Sequence, residues 1–319
     1  MRACARWVLC AAVAILGCSS VSTRAGSSSF GLERRDDRVD ILLDGRPLTA
    51  FHFHSKWDKP FLYPIRTASG AELSRGWPVE PRDGDERDHT WHRGIWYGHG
   101  DINGEDFWRE TPDKTTARLV LEGEPKTSSG AQGVLEIALA MIGAKGNRLG
   151  TIGQRYGFRR EGSQVLIDST VSVAADRGTA LKFGDSDDGG FGFRLATEFR
   201  QDRGAELMNS DGLTGTEKIW GKPAKWVKYT AAVNGKRAGV AVLDHPSNLR
   251  HPTGWHARGY SLCSANPFAA GSFAKDKSKD GSYTLPAGQT LKLRYLVVVF
   301  DGDLPAPAAD RMFARFAKE

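Results

Sequence analysis

Apolar and polar residues alternate over long stretches of this chain, which is the period of half-buried β-strands. Leu135, Ile137, Leu139 and Met141 fall on one face. Val165, Ile167, Val171 and Val173 do the same, with Asp168, Thr170 and Ser172 opposite. From Leu291 the pattern sets Leu293, Tyr295, Val297 and Val299 against Lys292 and Arg294, then turns apolar on both faces at Leu296, Val298 and Phe300. That change predicts a strand beginning at a sheet edge and running into a covered centre. Asn234-Gly235, between the runs 226–233 and 238–244, is the strongest hairpin signal, because both residues tolerate positive φ. Asp44-Gly45, Glu161-Gly162 and Ala287-Gly288 mark further turns. Only 306–318 carries a helical pattern, with Met312, Phe313 and Phe316 as its apolar stripe. No repeat recurs at a fixed period, and no linker interrupts residues 31–319. The expectation is one all-β domain, a large antiparallel β-sandwich with a short C-terminal helix.

The first 18 residues stand outside this pattern. Arg2 and Arg6 flank the start of an apolar run, 7–16, that is too short for a bilayer span of about 20 residues but suits a secretory signal. The run ends Ile15-Leu16-Gly17-Cys18, the form of a bacterial lipobox, so Cys18 is expected to be lipidated and to become the new N-terminus. Ordinary cleavage after Gly17 or near Ala25 is the alternative. Ser19, where an Asp would favour inner-membrane retention, points to the periplasmic side of the outer membrane. Residues 19–30 are rich in Ser, Thr and Gly and read as a flexible tether.

Loss of Arg2 and Arg6 with the signal lowers the formal net charge from +6 to +4. No Lys/Arg cluster accompanies it, so nucleic acid is not an expected partner, and any membrane contact is through the lipid alone. A mean hydropathy of −0.41 leaves no room for several membrane spans. Three of the four cysteines lie in the signal, leaving Cys263 alone in an apolar stretch. No disulfide can form within the body, and Cys263 reads as a buried structural thiol.

The eight histidines form three clusters: His52/His54, His89/His92/His99 and His245/His251/His256. The first alternates with Phe51 and Phe53. The second lies in a stretch, 88–108, dense in imidazole, carboxylate, guanidinium and indole; the third lies in a Pro-rich polar run, 244–258. Loops of this make-up are where a site is grafted on a sandwich. The expected acid–base groups are His89, His92, His99, Asp101 and His256. Arg93, Trp96, Asp106, Trp108, His251, Trp255 and Arg258 are the expected substrate contacts, guanidinium holding an anion and indole stacking on a ring. His89 and His92, with a third ligand from His99, Asp101 or His256, leave a divalent metal open, although no cofactor is required. Asp185-Ser186-Asp187-Asp188-Gly189 has the start of a calcium loop, but the twelfth position is Ala196, so it reads as a solvated acidic turn. There is no Gly-x-Ser-x-Gly elbow, P-loop, His-Glu-x-x-His or Cys-x-x-Cys.

Tyr63-Pro64-Ile65, His92-Arg93-Gly94-Ile95-Trp96, Gly100-Asp101-Ile102-Asn103-Gly104, Asp244-His245-Pro246-Ser247-Asn248, Trp255-His256 and Asn266-Pro267-Phe268 together resemble the bacterial PmoA family, labelled methane oxygenase. The resemblance runs from about residue 39 to the C-terminus. Trp91 departs from it, standing where that family often has another His. It implies a β-sandwich of the galactose-mutarotase-like supersandwich type in bacteria that dismantle sugars, without supplying a demonstrated reaction. The expected function is an exported, lipid-anchored carbohydrate-active enzyme using His/carboxylate acid–base chemistry on a sugar or glycan, as an epimerase, lyase or glycosidase would. The alternatives are a carbohydrate-binding lipoprotein without chemistry and a metal-dependent enzyme. In either catalytic case the loops 89–110 and 244–258 are expected to meet in one cleft.

Overall fold

The computed structural model describes residues 28–111 and 116–319, besides Met1; Cys18, the signal and most of the tether lie outside the described residues. Eighteen strands, three short α-helices and two 3-10 turns are described, and the strands form two eight-stranded antiparallel sheets and a two-stranded ribbon. In spatial order the first sheet runs Phe30–Arg34 (β1), Arg38–Leu43 (β2), Arg46–His52 (β3), Phe61–Tyr63 (β4), Ile95–His99 (β5), Gly189–Arg194 (β11), Leu262–Asn266 (β16), Gly254–Trp255 (β15). The second runs Glu206–Asn209 (β12), Trp226–Val233 (β13), Lys236–Asp244 (β14), Thr290–Asp301 (β18), Gln164–Ala175 (β9), Arg148–Glu161 (β8), Gly133–Ile142 (β7), Arg118–Ser128 (β6). Leu181–Phe183 (β10) pairs with Tyr283–Leu285 (β17) as the ribbon. The fold therefore begins at Phe30, within the span read as tether.

The predicted alternation sets the layers. Leu135, Ile137, Leu139 and Met141 of β7 and Val165, Ile167, Val171 and Val173 of β9 all enter one core with Phe51, Tyr97, Phe191, Phe193 and Trp255 of the first sheet. Cys263 is buried there as a free thiol, and burial raises its pKa well above the ordinary thiol value. Asn234 and Gly235, both at positive φ (51° and 75°), turn β13 into β14 as expected.

β18 starts as expected. It pairs with β9 from Thr290 to Phe300 but with β14 only from Tyr295 to Asp301, so its first residues have one neighbouring strand and its second half runs into the sheet centre. Its change of pattern also records what covers the outer face of the second sheet. Lys292 is exposed and Arg294 half-buried, whereas Leu296, Val298 and Phe300 lie beneath the C-terminal helix Ala306–Phe316 (α3). That helix packs Ala309, Met312 and Phe316 against Trp226, Ala241 and Leu243. Two further one-turn helices, Thr216–Ile219 (α1) and Ala270–Ala274 (α2), have no helical period in the sequence because each is a single turn.

Burial of the Phe316 ring anchors α3, so Phe316→Ala is expected to cost about 3–5 kcal/mol in a denaturant titration. A loss under about 1 kcal/mol would show that the helix is not held by this face.

Candidate functional site

Among the described residues no helix lies over the outer face of the first sheet. That face carries an aromatic layer of Phe61 and Tyr63 from β4, Trp96 from β5 and Leu262 from β16, with Trp108 above them and Trp57, Trp91 and Tyr260 half-buried at its rim. β11 makes room for this layer. Its sequence alternates Gly with Phe, so Phe191 and Phe193 enter the core while Gly192 faces outward. A Cβ on Gly192 would lie 3.1 Å from Trp96 and 3.2 Å from Trp108.

On this layer four rings stack in a column. Trp96 and His92 are 5.2 Å apart at 14°, His92 and His89 4.8 Å at 5°, and His89 and Tyr260 5.8 Å at 7°. His92 is buried, and desolvation together with the nearby charge of Arg194 pushes its pKa well below the ordinary value, so it stays neutral. His89 is different: its side chain is 39% exposed, and its Nδ1 donates to the Asp88 carboxylate at 2.7 Å. Nε2 of His89 has no hydrogen-bond partner among the described residues, which leaves it available as an acceptor. His89 also sits at φ 35°, a positive value uncommon outside glycine and the kind of strain that collects at functional sites.

Two buried arginines hold this pair. The Arg75 guanidinium donates to the carbonyl oxygens of Glu86 (3.1 Å), Asp88 (3.0 Å), His89 (2.9 Å) and His92 (3.0 Å), and to the Asp88 carboxylate. Arg194, from the end of β11, donates to both Asp88 oxygens at 3.0 and 3.2 Å and lies over the Tyr260 ring at 4.7 Å. Burial pushes the Asp88 carboxyl up. The hydrogen bond from His89 and the charges of Arg194 and Arg75 outweigh that and hold it well below the usual carboxylate range. Burial and the Arg194 charge in turn lower Arg75 to about 10.

A second ionic cluster supports the layer from one side. Arg93 grips both oxygens of Glu110 and stacks on Trp57 at 4.4 Å, while Lys59 Nζ donates to the Trp108 carbonyl at 2.5 Å and to Glu110 at 3.5 Å. Lys59 is wholly enclosed, and burial lowers its pKa to about 8. Arg93 is thus committed to a buried pair and not presented to a ligand.

The run 244–258 divides between the two sheets. His251 Nδ1 donates to Asp244 at 2.7 Å and its ring stacks on Phe313 of α3, which places it at the C-terminal helix. Trp255 points into the core and donates to the Ala224 carbonyl at 2.9 Å. Only His256 and Arg258 join the outer face of the first sheet. Trp96 pairs with Gly192, Gly192 with Ser264, and Ser264 with His256, so His256 stands three strands away, roughly 14 Å between backbones at about 4.8 Å per strand. Both its nitrogens are used: Nδ1 donates to the Asp187 carbonyl at 2.7 Å and Nε2 accepts from Arg258 Nε at 2.7 Å. It is a neutral support for Arg258, with no nitrogen free for proton transfer.

The other expected site residues have structural partners. His99 alternates with Trp96 to the inner face, bonds the Gly184 carbonyl at 2.9 Å and packs on Phe268; burial lowers its pKa to about 4. Asp101 accepts from the Gly104 amide, and Asp106 from the amides of Trp108 and Arg109, each closing a turn. In the acidic run, Asp185 accepts the amides of Gly271, Ser272 and Gly281, and Asp188 pairs with Arg109. Of the first histidine cluster, His52 stacks on Phe61 on the same outer face, and His54 accepts the Lys56 amide. Among the described residues no three His, Cys, Asp or Glu side chains converge as a metal site.

Residues outside the predicted set complete the site: Arg75, Asp88, Arg194 and Tyr260, with Lys59 and Glu110 behind them. Asp88 directly precedes His89 and Tyr260 lies two residues beyond Arg258, so both were within reach of sequence reasoning. Arg75 is brought in next to the isolated Ser74–Leu195 bridge and Arg194 by the pairing of β11, and neither carries a local signal.

Removing the Asp88 charge leaves two guanidinium groups buried without their carboxylate. Asp88→Asn is therefore expected to lose about 3 kcal/mol in chemical denaturation, with the far-UV spectrum still that of a β protein. Unchanged stability would mean that the carbonyl contacts of Arg75 suffice.

Several solved structures resemble this one at low scores. A galactose mutarotase related enzyme from Lactobacillus acidophilus is 9% identical with a TM-score of 0.36, over 86% of this chain and 100% of that one. A galactose mutarotase-like protein from Clostridium acetobutylicum is 10% identical with a TM-score of 0.36, over 86% and 98%. A GH36 α-galactosidase from Geobacillus stearothermophilus, in complex with raffinose, is 12% identical with a TM-score of 0.38, over 86% and 41%. Scores at this level leave the site to be read from its own residues. No curated protein matches the sequence. The family model that does match carries no activity and gives no support to the PmoA label or its oxygenase name. Across residues 38–314 the match is to DUF6807, and the chain belongs to this family of unknown function.

Proposed function

We propose that the outer face of the first sheet is an acid–base active site for a sugar or glycan, with His89 as its proton acceptor. The observation that carries this reading is the Asp88–His89 pair: a half-exposed imidazole, oriented through Nδ1 by a carboxylate that two buried arginines keep ionised. Such a pair takes a proton at Nε2 and stabilises the resulting imidazolium. Tyr260 stacks against the same ring; burial raises its pKa, so its phenol keeps a proton to give. His92 does not titrate in this scheme but fixes the plane of His89 from behind, as a positioning residue.

The half-buried rings of Trp91 and Tyr260 beside His89 have the make-up of a site for a ring with an apolar face and hydroxyl edges. An epimerase, a lyase and a glycosidase all need a proton removed or delivered at a sugar carbon or oxygen, and the pair serves each. His89→Ala is expected to lower turnover on the active glycan by about 10²–10⁴-fold without changing the β spectrum. Full activity in that variant would remove His89 from the mechanism. Glycan binding with no turnover by the intact protein would favour the non-catalytic alternative, and a stoichiometric metal in the purified protein would favour the metal-dependent one.

We also propose that the protein is held by a lipid on Cys18 at the periplasmic side of the outer membrane, on the strength of its lipobox and tether. Cys18→Ala is expected to move the protein from the membrane to the soluble periplasmic fraction; unchanged fractionation would refute the anchor.

A further inference from the structure

Beside the edge strand β15, past Arg258, lies a cavity of about 400 Å³ that the acid–base scheme does not use. Its aromatic wall is Trp220 against Phe273, ring centroids 5.4 Å apart at 79°. The wall depends on two glycines: a Cβ on Gly221 would lie 2.7 Å from Phe273, and one on Gly254 2.8 Å. Pro223, Pro252 and Pro267 fix other parts of the lining.

The charged residues that line it are all cations, with Asp276 and Asp280 beyond Lys279 in the adjoining depression. Lys222, Arg250 and Lys279 line the cavity and no Asp or Glu does. Arg250 donates only to backbone carbonyls, those of Pro267, Gly281 and Ser282. Arg258 and Lys275 lie over the Trp220 ring at 5.1 and 5.7 Å. Among the described residues only Arg258 of these five cations has a carboxylate within ion-pair distance, a long 3.7 Å contact to Asp187, and Asp276 acts on Lys279 from farther off. An aromatic pocket whose charged lining is wholly cationic is suited to receive negative charge on a ring.

We propose that this pocket binds an acidic sugar residue, one bearing a carboxylate or sulfate, within the glycan whose neighbouring part reaches His89. The inference rests on the sugar reading above for the nature of the ring, and Arg258 links the two places: it lies over Trp220 on one side and is held by His256 on the other. The ring stacks on Trp220 or Phe273 while its acidic group meets Lys222, Lys279 and Arg250. The substrate is then an acidic oligosaccharide, longer than one residue.

The test is binding of three oligosaccharides of equal length to the mature protein, one uronate-containing, one sulfated and one neutral, followed by calorimetry or tryptophan emission. The acidic ligands are expected to bind at least tenfold more tightly than the neutral one, the preference shrinking as salt is raised; the tighter of the two identifies carboxylate or sulfate. Lys222→Gln with Lys279→Gln is expected to remove at least fivefold of that preference, and Trp220→Ala to weaken all three ligands. Equal binding of acidic and neutral ligands, or a double variant that keeps the full preference, would overturn the pocket assignment. Because the readout is binding, the two ideas fail separately. Charge-selective binding with no turnover supports the pocket and removes the acid–base reading; turnover with no charge preference does the reverse.

Discussion

A guanidinium cannot be buried without acceptors, and the site depends on how that requirement is met at Arg75. Its side chain is almost fully enclosed, yet four carbonyls and one carboxylate from residues 86–92 converge on it. Leaving such a charge unpaired costs several kcal/mol, so the loop is drawn around the arginine as firmly as a strand is drawn into a sheet. The same contacts bring Asp88 under Arg194 and push His89 into its positive φ. The strain at His89 is thus sustained by electrostatics a few ångströms away.

The two outer faces of the sandwich show opposite solutions to covering a sheet. On the second, α3 lays a greasy stripe over Leu296, Val298 and Phe300 and closes that part of the face. On the first no helix lies among the described residues, and aromatic side chains from strands and loops serve as a cover one ring thick. Such a cover has a polar rim, because indole, imidazole and phenol each carry a polar atom at one end. Chemistry can be placed only where the sheet was left to its own side chains.

Much of the fold was legible in the chain, since a period of two is a direct consequence of pleating. The strands 133–142, 164–175 and 290–301 and the Asn234-Gly235 hairpin follow from it. The apolar switch in β18 follows its passage from a one-sided start at Thr290–Arg294 to a two-sided centre, and what the pattern could not show is that a helix later in the chain covers the outer face of that second half. The site was legible by region and not by role. His89, His92, Trp96 and Trp108 do come together, whereas His99 and Trp255 face the core by the same alternation that was used to find the strands. His251 is captured by α3, and His256 has both nitrogens committed. These outcomes depend on partners from distant strands, which composition and spacing along one segment do not encode.

The way Arg75 holds its loop has a consequence for how this site could diversify. Four of its five contacts are to main-chain carbonyls, which every residue type possesses. Only the Asp88 carboxylate is recognised as a side chain. Substitutions at Glu86, His89 or Trp91 would therefore alter what the loop presents while leaving the address by which it is folded intact. A scaffold that specifies a loop's path without specifying its side chains is open to new substrates by single changes, and in this protein that freedom is centred on the residue that carries the imidazole.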